Sequence, residues 1–310
     1  MKHTLKITAV LVLLFFASQA IGLFITGKYL ERERIITPEG EEIINITTKP
    51  IYVGGKELER PPVEGPSSLA YIITAVLVGT LLIFLLIRFK KLGLWKVWYF
   101  MAIVLCLAIA FGAFSKQSYI TLALALILGW WKVFKPNVLV HNITEVFVYG
   151  GLAAIFVPTV RYVWVAFILL LVISVYDMIA VWKSKHMITL AKAQTKQNMF
   201  AGLAVPYKRV KGTGIRAKKS MGGKEKIAIL GGGDIGFPLI FAGVVMRNLM
   251  MADTALISFL KTLIIPLFVS IALLYLFFKG EKDKFYPAMP YLSVGCAVGY
   301  MVILLVNLFL

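Results

Sequence analysis

The chain has 310 residues, 60% of which are hydrophobic, and its mean hydropathy is +0.85. Soluble domains are usually about 45–50% apolar, so this composition excludes an ordinary soluble protein. Repeated apolar runs of membrane-spanning length instead indicate a polytopic helical membrane protein. The formal net charge of +18 lies in loops between those runs and has no basic and aromatic reading face, so we expect no nucleic-acid partner.

The apolar runs predict an all-α fold, a membrane helical bundle of about nine transmembrane helices that forms one domain over 1–310. The predicted spans are 5–27, 67–89, 95–115, 117–134, 139–158, 160–182, 226–250, 255–278 and 286–310. The tightest connections are expected at 115–117 and at 158–161. We therefore divide the domain into six spans over 1–183, a basic loop over 184–225 and three spans over 226–310.

The N-terminal run could be either a first span or a signal peptide. Ser18 and Ala20 form a small-x-small sequence that a signal peptidase could cut. The apolar run is longer than a typical signal-peptide core, and we therefore expect it to be retained as the first span.

Two hydrophilic segments interrupt the spans. The segment at 28–66 has mixed charge, whereas the segment at 184–225 is rich in lysine and glycine. The second segment has little apolar material to bury, and this composition predicts a mobile loop. A basic segment that lies on the membrane surface is the alternative.

The basic residues of the connections predict the orientation. If the N-terminus is cytoplasmic, the cytoplasmic side receives most short basic connections and the 184–225 loop. The opposite side receives Lys116, Arg161 and the acidic first loop. Nine spans then place the C-terminus outside, in a multi-pass protein of the cell membrane.

Cysteine and histidine suggest no further chemistry. Cys106 and Cys296 lie inside apolar runs without a CxxC partner, so we interpret them as packing residues. His3, His141 and His186 are scattered along the chain, so the sequence predicts no metal site and no cofactor.

One motif imitates a dinucleotide-binding fingerprint. Gly231-x-Gly233-x-x-Gly236 follows the strand-like sequence IAIL, and Asp253 lies twenty residues after Gly233. The sequence before Asp253 is MRNLMMA rather than a second apolar strand, and another membrane-length run follows. This context argues against a doubly wound nucleotide-binding fold.

Two aspartates lie inside predicted spans, Asp177 in VAFILLLVISVYDMIAVW and Asp234 in IAILGGGDIGFPLIFAGVV. An ionisable residue at membrane depth is costly and marks a candidate functional site. Asp177 precedes Lys183 by six residues, and Asp234 follows Lys226 by eight. At about 1.5 Å per helical residue, both aspartates lie roughly 9–12 Å beneath the same surface and can face each other.

The neighbours of the aspartates suit a site. Gly231, which would lie one helical turn before Asp234, and the adjacent Gly232 and Gly233 would let another backbone approach closely. Tyr176 could place a phenolic hydroxyl near the aspartates. A plain helix-packing surface is the alternative interpretation of the glycines.

A third feature is the segment Pro287-Ala288-Met289-Pro290 near the start of the ninth predicted span. Two prolines three residues apart interrupt helical hydrogen bonding and free backbone carbonyls. Such backbone is tolerated in a membrane only beside protein or water. A simple helix start, where proline is common, is the alternative.

These features occur in a fixed order: Tyr176-Asp177, the GxGD sequence at 231–234, and Pro-Ala-Met at 287–289. In this the chain resembles the presenilin and signal peptide peptidase family of intramembrane aspartyl proteases, of the compact microbial type. The resemblance covers nearly the whole chain and includes the long loop between the sixth and seventh spans. The family's Pro-Ala-Leu appears here as Pro-Ala-Met, a change that keeps size and apolarity.

The resemblance implies that Asp177 and Asp234 are the catalytic pair. Two close carboxylates share a proton, so that one activates water while the other donates to the peptide carbonyl. Tyr176, the glycines at 231–233 and the segment 287–289 would then shape the site or bind substrate. The expected partners are transmembrane helical peptides and the lipid bilayer, with a homo-oligomer left open.

Two other functions fit parts of the pattern. Paired intramembrane aspartates and interrupted helices also suit a proton- or cation-coupled transporter. That class predicts an internal repeat, which the two halves of the sequence do not show. A non-catalytic membrane scaffold is the third hypothesis, and it leaves the paired carboxylates unexplained.

The charge pattern yields a prediction about orientation. A cysteine introduced by Ser220→Cys should not react with a membrane-impermeant reagent in intact cells, whereas one introduced by Leu310→Cys should react. The opposite result would invert the orientation without affecting the assignment of the aspartates.

Overall fold

The computed structural model describes residues 4–36, 42–89, 91–135, 137–183, 199–207, 227–281 and 286–309. Its helices are α1 Leu5–Lys28, α2 Pro66–Arg88, α3 Leu92–Gly112, α4 Ser118–Phe134, α5 Val138–Val160, α6 Val163–Met178, α7 Gly232–Leu249, α8 Ala255–Thr262, α9 Ile264–Lys279 and α10 Met289–Phe309. A short π-helical stretch, Ile179–Lys183, extends α6. The strands are β1 Leu30–Ile36, β2 Glu42–Thr48, β3 Ile51–Val53, β4 Lys56–Leu58, β5 Gly202–Pro206 and β6 Ile227–Gly231.

The predicted helical bundle is confirmed, since each of the nine predicted spans corresponds to a helix or to consecutive helices. Within the described ranges, seven helical segments are long and apolar enough to cross a membrane, and α8 with α9 forms one of them. Helix α4 is apolar but has only 17 residues. Helix α7 has 18 residues and directly follows a strand.

Helix α1 lies inside the bundle, where it packs against α5, α7 and α9. Leu11, Phe15 and Leu23 are completely buried there. The Gln19 side chain donates a hydrogen bond from Nε2 to the carbonyl oxygen of Ile235 at 2.8 Å. Because lipid offers no such partner, a buried amide of this kind fixes how α1 and α7 align. The N-terminal run thus contributes to the core as a helix of the domain.

Small residues allow the central helices to approach each other. A Cβ atom added at Gly150 of α5 would lie 3.2 Å from the Cα of Gly22 of α1. A Cβ at Gly151 would overlap the backbone carbonyl of Cys106 in α3. Contacts through glycine are the usual way in which membrane helices gain packing energy.

The first hydrophilic segment forms two small antiparallel sheets. Strand β1 pairs with β2 from Leu30 opposite Thr48 to Ile36 opposite Glu42, and β3 pairs with β4. From its sequence this segment was predicted only to be hydrophilic. Strand β1 contacts α1, and β3 contacts α3 and α4, so the segment packs against the bundle.

The two tight connections are found close to their predicted places. Residues 113–117 join α3 to α4, as expected. The predicted break at 158–161 comes later, because α5 continues through Pro158 to Val160. Arg161 makes the turn with a φ of 58°, which is uncommon for a residue with a side chain. Its carbonyl oxygen accepts hydrogen bonds from Arg247 and Asn248, which hold the turn in place.

The seventh predicted span is not a helix from its start, and this part of the prediction was wrong. Residues 227–231 are the strand β6, and α7 begins only at Gly232. Three consecutive glycines are poor helix formers, and Gly231 is extended, with φ −65° and ψ 149°. Because extended residues rise about 3.3 Å each, helical rise does not give the depth of Asp234.

Part of the second hydrophilic segment lies within the described residues. Most of the predicted mobile loop, including the stretch 208–223, lies outside the described residues. Residues 202–206 form β5, which pairs antiparallel with β6 from Gly202 opposite Gly231 to Pro206 opposite Ile227. Met199, Phe200 and Leu203 are buried, so this part of the segment does contain apolar material that packs.

The approach of α3 and α5 can be tested at Gly151. The change Gly151→Ala should force the two helices apart and lower stability by about 1–3 kcal/mol, as overpacking usually does. Thermal unfolding of the purified protein in detergent measures this. The matched control is Gly79→Ala in α2, where an added Cβ has nothing within 4 Å. An unchanged unfolding temperature in Gly151→Ala would contradict the close packing.

Candidate active site

Three helices that pack against one another carry the predicted site residues. Helices α6, α7 and α10 contact one another. Asp177 lies in the last turn of α6, Asp234 lies in the first turn of α7, and Met289 is the first residue of α10. The end of α6 therefore meets the beginning of α10, and α7, which carries Asp234, packs against both helices.

Asp177 is buried and contacts the predicted Pro-Ala-Met segment. Its side chain accepts a hydrogen bond at Oδ2 from the backbone N–H of Met289 at 3.1 Å, and it also interacts with the backbone of Ala288. The first amides of a helix have no partner within the helix. The carboxylate thus caps the beginning of α10, so the interrupted segment supplies a free amide here, whereas the sequence analysis emphasised freed carbonyls.

The Pro-Ala-Met residues also pack in the core. Pro287, Ala288 and Met289 are all buried. The helix begins at Met289, so the interpretation of the prolines as a helix start is correct as well. Because Pro287 lies before the first helical residue and Pro290 near it, neither proline removes an amide that a helical hydrogen bond would need.

A second polar contact joins α6 and α10 next to Asp177. Ser174 Oγ and Ser293 Oγ lie 2.8 Å apart and share a hydrogen bond. Ser174 precedes Asp177 by three residues and therefore lies on the same face of α6. Two adjacent contacts between the same helices fix how Asp177 lies relative to α10.

Tyr176 directs its hydroxyl toward α2. The Tyr176 hydroxyl donates to Thr80 Oγ1 at 3.4 Å, a long hydrogen bond. A role of this side chain in substrate binding or in shaping the site stays a prediction.

Asp234 lies beside the glycines that were predicted to shape the site. A Cβ atom at Gly231 would come within 3.2 Å of Asp234 Oδ2. Gly231 therefore lies beside Asp234, although it does so from an extended strand and not from a preceding helical turn. Gly232 donates its N–H to the carbonyl oxygen of Ala201 at 3.1 Å, and Gly233 is exposed.

The strand pair β5–β6 leads directly into Asp234. Gly202 has a φ of 138°, and a Cβ there would overlap the carbonyl oxygen of Leu230. Only glycine fits this position, because both the backbone angle and the space exclude a side chain. The last strand residue, Gly231, is followed at once by the helix that carries Asp234.

Helix α5 holds β5 through side chains that the sequence analysis did not single out. Asn142 exchanges two hydrogen bonds with the backbone of Ala204, at 2.8 and 3.0 Å. His141 donates from Nε2 to the carbonyl oxygen of Gly202 at 2.7 Å. In sequence His141 is an isolated histidine, and only the fold shows that it faces β5, the partner of the strand that enters the GxGD motif.

Two more polar residues were missed. Lys132, near the end of the fourth predicted span, is buried and pairs with Glu145 of α5. Glu145 is an acidic residue inside an apolar span, the same signal that identified Asp177 and Asp234. That criterion, applied to the fifth span, would have found it.

The described residues offer no metal centre. In the part of the chain that the structure describes, no group of three or more His, Cys, Asp or Glu residues could hold a metal ion. Cys106 and Cys296 are free and buried, which agrees with their interpretation as packing residues.

Comparison with known proteins identifies related sequences and folds. The model of a family described as "Signal-peptide peptidase, presenilin aspartyl protease" matches residues 43–308. The chain is similar to two structures of a presenilin family intramembrane aspartate protease, in C222 and P2 space groups. The first structure has a TM-score of 0.61 and 19% sequence identity, and the match covers 96% of this chain and 99% of that one. The second has a TM-score of 0.56 and 20% sequence identity, and the match covers 96% of each chain. No curated protein sequence matches the chain.

The serine contact beside Asp177 gives a prediction. Ser174→Ala and Ser293→Ala should each lower stability by about 0.6 kcal/mol, the average for hydrogen bonds between membrane helices. The double variant should cost no more than either single variant, because both changes remove the same contact. Thermal unfolding in detergent measures the cycle.

Ser270→Ala is the control, since Ser270 Oγ is buried without a hydrogen-bond partner in the described residues. Its removal should be neutral or slightly stabilising. If the losses of stability caused by Ser174→Ala and Ser293→Ala simply add in the double variant, the contact between the two serines is contradicted.

Proposed function

This chain belongs to the signal-peptide peptidase and presenilin family of aspartyl proteases, and on that premise we propose that Asp177 and Asp234 are its catalytic dyad. The chain is an intramembrane aspartic endopeptidase and a multi-pass membrane protein. The family match disfavours both the transporter and the scaffold alternatives.

One observation carries the proposal, the hydrogen bond from the Met289 N–H to Asp177. It joins the YD motif to the Pro-Ala-Met motif, and the contacts of α6 and α10 with α7 add the GxGD motif. Three motifs that are far apart in sequence are therefore carried by helices that pack against one another. In a membrane, burying a carboxylate among packed helices costs free energy, and such a residue therefore marks a candidate functional site.

The proposed mechanism is that of a carboxylate pair. Two carboxyl groups close together cannot both ionise easily, so they share one proton. The ionised group accepts a proton from water as the water attacks the peptide carbonyl carbon, and the protonated group donates to the carbonyl oxygen. The peptide C–N bond then breaks as the nitrogen is protonated. The pair titrates as a unit, and neither role belongs to a fixed residue.

The substrate is proposed to be a transmembrane peptide helix that unwinds before it is cut. Helical amides are occupied by internal hydrogen bonds, so the scissile bond must first be exposed. Among the described residues β5 and β6 form a sheet of two strands, and such a sheet has outer edges that can accept an extended peptide. Because β6 ends two residues before Gly233 and three before Asp234, a peptide paired with it would lie close to that carboxylate.

The glycines at 231–233 fit this proposal. A side chain at Gly231 would press against the Asp234 carboxylate, and one at Gly232 would meet the carbonyl of Ala201 at 3.3 Å. We propose that they keep the approach to the dyad open, with Pro287, Ala288 and Met289 forming the opposite wall.

For the orientation of the protein, we propose that the N-terminus is cytoplasmic, that the protein lies in the cell membrane, and that the site is nearer the cytoplasmic surface.

The dyad gives a direct prediction. Asp177→Asn and Asp234→Asn should each reduce cleavage of a transmembrane peptide by at least about 100-fold, because each removes one half of the acid–base pair. The purified protein is assayed in detergent or liposomes, and the products are mapped by mass spectrometry. Wild-type activity should fall on both the acidic and the alkaline side of its optimum, because only the singly protonated pair is active.

The matched control is Asp253→Asn, which removes an aspartate that pairs with Lys261 at 2.7 Å, near the far end of α7. It should retain activity. Thermal unfolding distinguishes loss of chemistry from loss of fold in all three variants. Substantial cleavage by either Asp177→Asn or Asp234→Asn would refute the dyad.

A further inference from the structure

A buried ion pair lies in the wall of the bundle behind the GxGD motif. Lys132 of α4 donates from Nζ to Glu145 Oε1 of α5, and their side chains are 1% and 2% exposed. Two charges removed from water are expensive, and a pair of this kind adds little stability over apolar residues of the same size. The proposed dyad mechanism does not use this pair, which leaves its presence to be explained.

Tyr149 connects the ion pair with the site. It follows Glu145 by four residues, so both side chains lie on one face of α5. Its hydroxyl is buried close to Glu145 and within electrostatic range of Asp234. It faces Glu145 without completing a well-formed hydrogen bond, and within the described ranges Tyr149 Oη and Glu145 Oε2 are both buried without such a partner.

The Tyr149 hydroxyl touches the GxGD backbone. A Cβ atom added at Gly232 would lie only 2.6 Å from Tyr149 Oη and 3.3 Å from its ring carbon Cε1. The hydroxyl thus packs directly against the backbone two residues before Asp234. Gly236, one turn after Gly232 on α7, faces the same ring, with a Cβ position 3.8 Å from its Cδ1.

The same wall also holds the partner strand. Beyond the bonds from α5 to β5, Tyr99 of α3 donates from its hydroxyl to the carbonyl oxygen of Phe200 at 2.9 Å. Ala201, the next residue, accepts the N–H of Gly232. Gly232 is therefore fixed on one side by a backbone hydrogen bond and on the other by Tyr149.

The beginning of α7 needs such support. The residues at 231–233 have no side chains with which to pack, and the first turn of a helix has unpaired amides. Asp234 lies in this turn, so any movement of the turn displaces its carboxylate. Catalytic groups lose efficiency when displaced by about 1 Å.

We propose that Tyr149 is a positioning residue for catalysis, oriented by the buried Lys132–Glu145 ion pair and fixing the backbone at Gly232 so that Asp234 meets Asp177. This inference depends on the proposed dyad. Tyr149 acts through Asp234 and does not contact the reacting atoms.

The first test removes only the hydroxyl. Tyr149→Phe should lower kcat for a transmembrane peptide roughly 10-fold, by misplacing Asp234, while KM and the unfolding temperature stay unchanged. The control is Tyr29→Phe, since Tyr29 is another buried tyrosine and its hydroxyl donates to the Ile109 carbonyl at 2.6 Å, away from the site. Tyr29→Phe should retain kcat. An unchanged kcat in Tyr149→Phe would overturn the proposal. That result is expected if the hydroxyl, which has no well-formed hydrogen bond, only fills space in the bundle.

The second test measures coupling between Tyr149 and Gly232. Gly232→Ala should lower kcat, and in the Tyr149→Phe background the same change should cost several-fold less, because the closest clashing atom is gone. Gly233→Ala is the comparison, since its Cβ would meet only Phe237 at 3.8 Å. Its effect should be the same in both backgrounds. Fully multiplicative effects of Tyr149→Phe and Gly232→Ala would contradict the contact.

The third test concerns the ion pair. The double variant Lys132→Met/Glu145→Met removes both charges together, so that no unpaired charge is left buried, and it should fold. Its kcat should fall about as far as that of Tyr149→Phe, and adding Tyr149→Phe should cause no further loss. A folded double variant with wild-type kcat would overturn the role of the ion pair.

The outcomes separate this inference from the dyad on which it depends. If Asp234→Asn retains activity, the dyad itself fails. If Asp234→Asn is inactive while Tyr149→Phe keeps its kcat, only the positioning role fails.

Discussion

The hydrogen bond between the Met289 amide and the Asp177 carboxylate is the contact on which the arrangement of the site depends. A helix that starts inside a membrane bundle presents amides that lipid cannot satisfy. A buried carboxylate likewise needs donors. Placing the end of α6 against the beginning of α10 satisfies both needs at once, and the Ser174–Ser293 contact keeps the two helices in that register.

The second aspartate depends on a different device, a change from strand to helix at Gly232. Strand β6 must pair with β5, and β5 is held by polar side chains of α5. Asp234 is therefore positioned through a series of non-local contacts that begins in the wall of the bundle. This explains why glycine, which weakens a helix, is found at 231 and 232, beside the proposed catalytic carboxylate. A side chain at Gly231 would press against Asp234, and one at Gly232 would meet the Tyr149 hydroxyl and the Ala201 carbonyl.

Several buried polar groups lie around the beginning of α7 and the strand pair that precedes it. Gln19 links α1 to α7, Asn142 links α5 to β5, and Lys132 pairs with Glu145. In an apolar environment, hydrogen bonds and ion pairs between such groups specify how neighbouring helices align, whereas dispersion contacts alone would allow several alignments. Polar contacts thus define the geometry near the proposed dyad, and apolar helices form the rest of the bundle.

The sequence by itself determined the helical bundle, the approximate spans, and Asp177 and Asp234 as the candidate site, because apolar length and an acidic residue within it are local signals. It did not determine that 227–231 is a strand, since the apolar sequence IAIL suits either structure until β5 supplies hydrogen-bond partners. It likewise could not show that Lys132 is buried, because a lysine at a helix end is normally solvated and only the position of Glu145 on a neighbouring helix changes that. Tertiary structure decided these features, since each depends on a partner that is distant in sequence or carried by another helix.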